Sequence, residues 1–136
     1  MRVLIKGVEF EKFDLDGVMD FIAKSKKTQL VGIKCFQGKK HVIHSISQTL
    51  KAFRNKDNIA KTEELELLVR LSGQKQIKNA LEKCRPGKKS VFISWTKDSF
   101  QKLRKEFKVR EIKLKEPAIE RQKQAIERTA TFYLSS

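Results

Sequence analysis

The chain has 136 residues, 31 of them lysine or arginine against 16 acids, for a net charge of +15. That length suits one domain with a real core. That charge selects an anionic partner, nucleic acid before an anionic membrane, against the bland alternative of a lysine-rich surface adapted to heat. No apolar run approaches a membrane helix in length, so a soluble, cytoplasmic protein is expected, with no membrane partner.

Val3-Leu4-Ile5 with Val8 reads as a first strand. Asp14 or Asp16 caps a helix carrying Val18, Phe21 and Ile22, which ends near Lys24. Lys26-Lys27 is a turn. Gln29 to Phe36 reads as a second strand with Val31, Ile33 and Cys35 on one face. Gln37-Gly38 turns it into a helix from Lys39, whose apolar residues Val42, Ile46, Leu50 and Phe53 fall at helical spacing. At about 100° per residue, His41, His44, Gln48 and Lys51 fall on another face, which predicts polar-side histidines.

Asn55 to Ala60 is a loop. Thr62-Glu63-Glu64 starts the next helix, acids first, as its dipole favours. Leu65, Leu67, Leu68, Val69 and Leu71 make that helix apolar almost all round, hence buried. Arg70 lies inside the run. A buried Arg needs a partner, and two readings stand: an ion pair with Glu66, or a bidentate contact to phosphate or base. Ser72-Gly73 breaks the run. Ile77, Ala80, Leu81 and Cys84 follow at helical spacing, with Gln74, Lys75 and Gln76 expected in the first turn. Free N–H groups there make an anion site beside Lys75. The plain reading is a turn with a Ser72 cap.

Arg85 to Lys89 is a turn by composition. Ser90 to Trp95 is a strong strand. Thr96 caps a helix carrying Phe100, Leu103 and Phe107. Val109 to Leu114 reads as a charged edge strand. Pro117 opens a last helix. Ile119, Ile126 and Tyr133 repeat at seven there, as do Ala118, Ala125 and Phe132, an apolar side for the core or for a partner. Strands mix with helices, so the fold class is α/β or α+β in a single domain, residues 1–136.

The charge is uneven. Residues 1–23 hold 3 basic and 5 acidic residues, whereas residues 24–56 hold 9 basic and no acidic ones. A second acid-free run, Leu67 to Leu81, includes Arg70, Lys75 and Lys78. Cys35 and Cys84 sit in apolar settings and read as reduced core residues. His41 and His44 stand at i, i+3 with no Cys-x-x-Cys, which speaks against zinc. No metal or cofactor is expected. His41 or His44 as a catalytic acid or base is set aside too. Neither acid-free string holds a carboxylate to orient them, and no nucleophile elbow or phosphate-binding loop occurs.

Two strings carry a resemblance: Lys39-Lys40-His41-Val42-Ile43-His44, and Leu68-Val69-Arg70-Leu71-Ser72-Gly73-Gln74-Lys75-Gln76-Ile77. Together they resemble the archaeal-type kinase-binding small subunits of the KEOPS complex, the TPRKB-like family. The resemblance is dense in these strings and fits the whole chain in order and length. Lys75 departs from it, standing where some relatives are expected to carry Arg, and the Phe53 to Lys61 segment is less family-like. The resemblance implies a mixed sheet flanked by helices. It also implies a non-enzymatic subunit of a machine that makes threonylcarbamoyladenosine in tRNA, the transfer chemistry belonging to an ASKHA-superfamily partner. Such a subunit docks on a small atypical kinase, the PRPK-like subunit, meets the other KEOPS subunits through it, and captures the 3' CCA end of tRNA. By motif match, the tRNA-binding residues are Lys39, Lys40, His41, His44, Arg70, Ser72, Gly73, Gln74, Lys75 and Gln76. Ile126, Ala130, Phe132 and Tyr133 are expected to dock the kinase. A kinase adaptor without a tRNA role is the alternative.

The chemistry of the strings is compatible with that role. Lys and Arg neutralise phosphates. Gln, His, Ser and backbone N–H groups read base edges that a single strand exposes. No aromatic platform is evident, which favours hydrogen-bond readout over stacking.

Overall fold

The computed structural model describes residues 2–97 and 99–130. Its elements are β1 (Leu4–Phe10), α1 (Leu15–Lys24), β2 (Thr28–Gly32), α2 (Lys39–Arg54), α3 (Glu63–Ser72), α4 (Ile77–Lys83), β3 (Lys89–Ser94), α5 (Ser99–Glu106), β4 (Val109–Ile112) and α6 (Ile119–Ala130). The mixture of helix and strand is the one expected. The chain, read as one domain, forms two compact units. A sheet unit holds β1, α1, β2, β3, α5 and β4. A helical unit holds α2, α3, α4 and α6.

The sheet runs β2-β3-β1-β4. Every pairing is antiparallel, where the resemblance implied a mixed sheet. β4 is an edge, as its charged residues predict. Leu30 lies opposite Phe92 across β2 and β3. These two join Val8, Phe10, Val18, Phe21 and Leu103 in one core cluster. Each such side chain contributes about 1.5–3 kcal/mol by leaving water. Phe10 meets Phe13 and Phe107 edge-on, with ring centroids 5.5 and 5.6 Å apart. β2 is shorter than its apolar run suggested. Its ladder with β3 stops at Gly32, and the chain tightens into a 3-10 turn, Ile33–Cys35.

In the helical unit, α2 touches both α3 and α6, and α3 touches α4. Thr62 caps α3 by accepting from the Leu65 N–H at 3.2 Å. Cys35 and Cys84 are not the reduced pair expected. They are joined in a disulfide with Cα atoms 5.2 Å apart. Nothing local in the sequence marks two cysteines 49 positions apart as partners. No helix among the described residues is long and apolar enough to cross a membrane.

Candidate nucleic-acid interface

The apolar row of α2, Val42 and Ile46, is buried as its spacing requires. A second row at four-residue spacing, His41, Ser45 and Thr49, is buried as well. The Ser45 hydroxyl donates to the His41 carbonyl and the Thr49 hydroxyl to the Ser45 carbonyl, each at 2.8 Å. Their hydroxyls are therefore satisfied within the helix. The polar-side placement of His41 is corrected here, because α2 is covered by α6 as well as α3 and the ring is only 2% exposed.

The His41 ring has one consistent proton arrangement. Thr129 Oγ1 donates to the Ala125 carbonyl at 3.1 Å. It therefore accepts from His41 Nε2–H at 2.9 Å, which leaves Nδ1 as a bare acceptor. Nδ1 has no hydrogen-bond partner among the described residues. Burial, aided by the positive charge of Arg128, pushes the His41 pKa down to about 4. The ring is neutral at physiological pH. His44 is half-buried. Burial first, then the charge of Arg70, lowers its pKa too.

For Arg70 the ion-pair reading holds. Its Nε and Nη2 each lie 3.1 Å from Glu66 Oε2, and neither side chain is exposed. Glu66 Oε1 accepts from the Ile59 and Ala60 N–H groups at 2.8 and 2.7 Å. The pair thus fixes α3 to the loop before it. Its charge is engaged by Glu66, and the residue also lines the cleft described below.

Ser72 ends α3 rather than capping the next helix. Its hydroxyl donates to the Val69 carbonyl and accepts from the Gln74 N–H, both at 3.1 Å. Gly73 is the C-cap, in left-handed conformation with φ 71°. A Cβ there would meet nothing within 4 Å, so within the chain it is the dihedral that calls for glycine. Gln74 and Lys75 are half-buried and Gln76 is exposed. All three precede α4, which begins at Ile77 and has only seven residues. The expected first-turn anion site is therefore not formed by them.

At the other string, Lys39 and Lys40 are exposed. The Lys39 N–H donates to the Glu116 carboxylate at 3.2–3.3 Å, so an internal anion already occupies the start of α2. Gly38 makes this possible. Its φ is 103°, and a Cβ would come within 2.9 Å of Glu116 Oε2.

The two strings nevertheless converge. A cleft of about 150 Å³ within the helical unit is lined by His41 from the first and by Arg70, Ser72, Gly73 and Gln74 from the second. Lys39, Lys40, His44, Lys75 and Gln76 do not line it. Four of its polar residues escaped the sequence reading: Gln37, Lys83, Arg128 and Thr129. The Arg128 guanidinium donates to Gln37 Oε1 at 2.7 Å. The Lys83 ammonium donates to the Ser72 carbonyl at 2.7 Å. By sequence Gln37 is only part of a turn, and no local pattern brings Arg128 of α6 beside α2.

The cleft is smaller than the roughly 300–1,000 Å³ typical of drug-sized ligands. It suits a fragment, such as one base or one phosphate. Its lining includes the amides of Gln37 and Gln74, backbone at Gly73, and the cations Lys83 and Arg128. Among the described residues no group of three His, Cys, Asp or Glu side chains stands ready to hold a metal.

On α6 the buried positions are Ala125 and Thr129. Ile126 is half-buried, Ala130 is exposed and Ile119 is 72% exposed. Ile119 of the seven-residue repeat is therefore not a residue that seats this helix. Phe132 and Tyr133 lie outside the described residues. No protein-family model matches this chain, and no curated protein matches it either.

Proposed function

We propose that this chain is a non-catalytic subunit of a KEOPS-type complex that holds the 3' CCA end of tRNA and docks on the small atypical kinase of that complex in the cytoplasm. The supporting observation is the convergence, in one cleft, of the two strings that carry the resemblance. In this reading, Gln74 and the exposed backbone at Gly73 supply the groups that read base edges only an unpaired strand offers. Lys83 and Arg128 supply charge beside them. Arg70 supports the cleft through Glu66, and Lys39 and Lys40 lie outside it as general phosphate contacts. Catalysis has little support, since His41 is engaged with Thr129 and no carboxylate among the described residues orients either histidine.

The test is binding of the isolated chain to intact tRNA and to tRNA trimmed of CCA. Intact tRNA should bind more tightly, and Gln74→Ala should remove most of that margin while leaving the melting temperature near wild type. Equal affinity for both tRNAs would sink the reading. The kinase role has its own test on the outward residues of α6. Ile119→Asp with Ile126→Asp should weaken kinase capture without altering tRNA affinity.

A further inference from the structure

A second concavity lies within the sheet unit, remote in sequence from both strings. Three segments line a cleft of about 440 Å³ there: the end of α1 with its turn into β2, Thr96 and Lys97 after β3, and one side of α5. Each contributes lysines. Lys24 and Lys26 come from the first, Lys97 from the second, Lys102 and Lys105 from the third. Lys102 and Lys105 are three apart on one helix and so share a face. The floor includes buried Phe21 and Ser99. The Ser99 hydroxyl is tied to that of Ser94 at 2.6 Å.

Acids accompany these five lysines, and the sequence sets one, Asp98, between Lys97 and Ser99. Glu106 lines the cleft, and Asp20 pairs with Lys24 at 2.9 Å. The roomier groove of this unit, about 780 Å³, differs in kind. Glu9 and Glu11 line it beside its cations, and Arg110 is bound to Glu9. Nonlocal convergence of five lysines around a concavity is not a charge run in the sequence.

We infer that this lysine cleft is a second RNA contact, one that grips the phosphate backbone of a duplex irrespective of its sequence. Lysine is a mobile point charge with no planar fork, so it neutralises phosphate without dictating geometry. Among the described residues no Asn, Gln, His or Arg lines the cleft, and the one aromatic ring that does, Phe21, is buried. Base reading and stacking therefore have no agents here, and backbone positioning is what remains. The inference rests on RNA being the ligand but not on capture of the CCA end. Loss of CCA discrimination would leave it standing.

The experiment uses a blunt RNA hairpin with no single-stranded end, titrated at several salt concentrations. Lys97→Ala, Lys102→Ala and Lys105→Ala are combined in one variant. A control variant, Lys12→Ala with Lys61→Ala and Lys113→Ala, removes the same charge from exposed positions outside the cleft. Circular dichroism and melting verify the fold of both. The cleft variant should bind the hairpin about tenfold or more weakly, with a salt slope shallower by about 2–3. The control should lose much less, and the intact-to-trimmed tRNA ratio should be unchanged in the cleft variant. Equal losses in both variants would overturn the site in favour of diffuse charge. Unchanged hairpin binding, with tripolyphosphate bound at the cleft, would overturn it in favour of a small free anion.

Discussion

Arg70 and Glu66 show what a buried charge is for in this chain. Two Glu66 oxygens satisfy two backbone N–H groups and one guanidinium. Removing Arg70 leaves a carboxylate buried with part of its partnership gone. Arg70→Ala should therefore cost about 3–5 kcal/mol of folding stability, measured by urea unfolding, and any effect on RNA binding must be read from the folded fraction. A loss below about 1 kcal/mol would restore Arg70 as a ligand-facing residue held for function. His41 makes a pH-dependent contribution. Its folded pKa, about 4, lies below the unfolded value near 6.5. The unfolded chain thus binds the extra proton first on acidification. The stabilisation is fully present above about pH 6.5 and is lost as pH falls toward 4, by about 3 kcal/mol in all. His44 adds a change of the same sign. His41→Gln should flatten the stability profile between pH 7 and 5, and an equally steep profile in that variant would assign the effect elsewhere.

Among the elements, those set by local pattern were legible. The apolar spacing from Val42 to Phe53 located α2, and the acids after Thr62 located the start of α3. What the spacing cannot reveal is a second cover. A single helical wheel assigns one buried stripe, but α2 is buried on two, because α6 returns from late in the chain to lie on it. That is why the spacing puts His41 on a polar side and carries no sign of Arg128 or Thr129. The same limit hid the disulfide, whose two cysteines are buried for reasons that look local. Closing a loop of 49 residues stabilises by about 4 kcal/mol in the chain-entropy account. Reduction should then lower the melting temperature by about 10–20 °C, and Cys35→Ser with Cys84→Ser should match reduced wild type. A melting temperature indifferent to reductant would return both cysteines to ordinary core packing. The two left-handed glycines separate in the same way. Gly73→Ala meets open space and should cost about 1–2 kcal/mol for its dihedral alone, whereas Gly38→Ala adds close contacts with Gln122 and Glu116 and should cost more.

At the scale of the molecule, the question is how +15 of charge would coexist with the selective binding proposed above. Charge alone binds any RNA, with log affinity falling as salt rises, by about 0.9 per duplex phosphate and about 0.7 per single-strand phosphate. Hydrogen-bond readout of base edges contributes little to that slope. The helical-unit cleft is small, about 150 Å³, with room for one base or one phosphate, so the proposed capture engages at most about one phosphate there. Removing the CCA end should therefore flatten the slope by only about 0.7, while the slope set by Lys39, Lys40 and the lysine cleft stays steep. Intact tRNA should keep nearly its whole advantage over trimmed tRNA as salt rises, even as both affinities fall by orders of magnitude. The decisive measurement is the pair of salt titrations with the isolated wild-type chain. If the two slopes differ by several units, the end is held by charge along an extended track, and Gln74 with its neighbours is not the reader. If they differ by less than one and the advantage persists, recognition lies in the cleft where the two strings meet, and the lysines set how tightly any RNA is held.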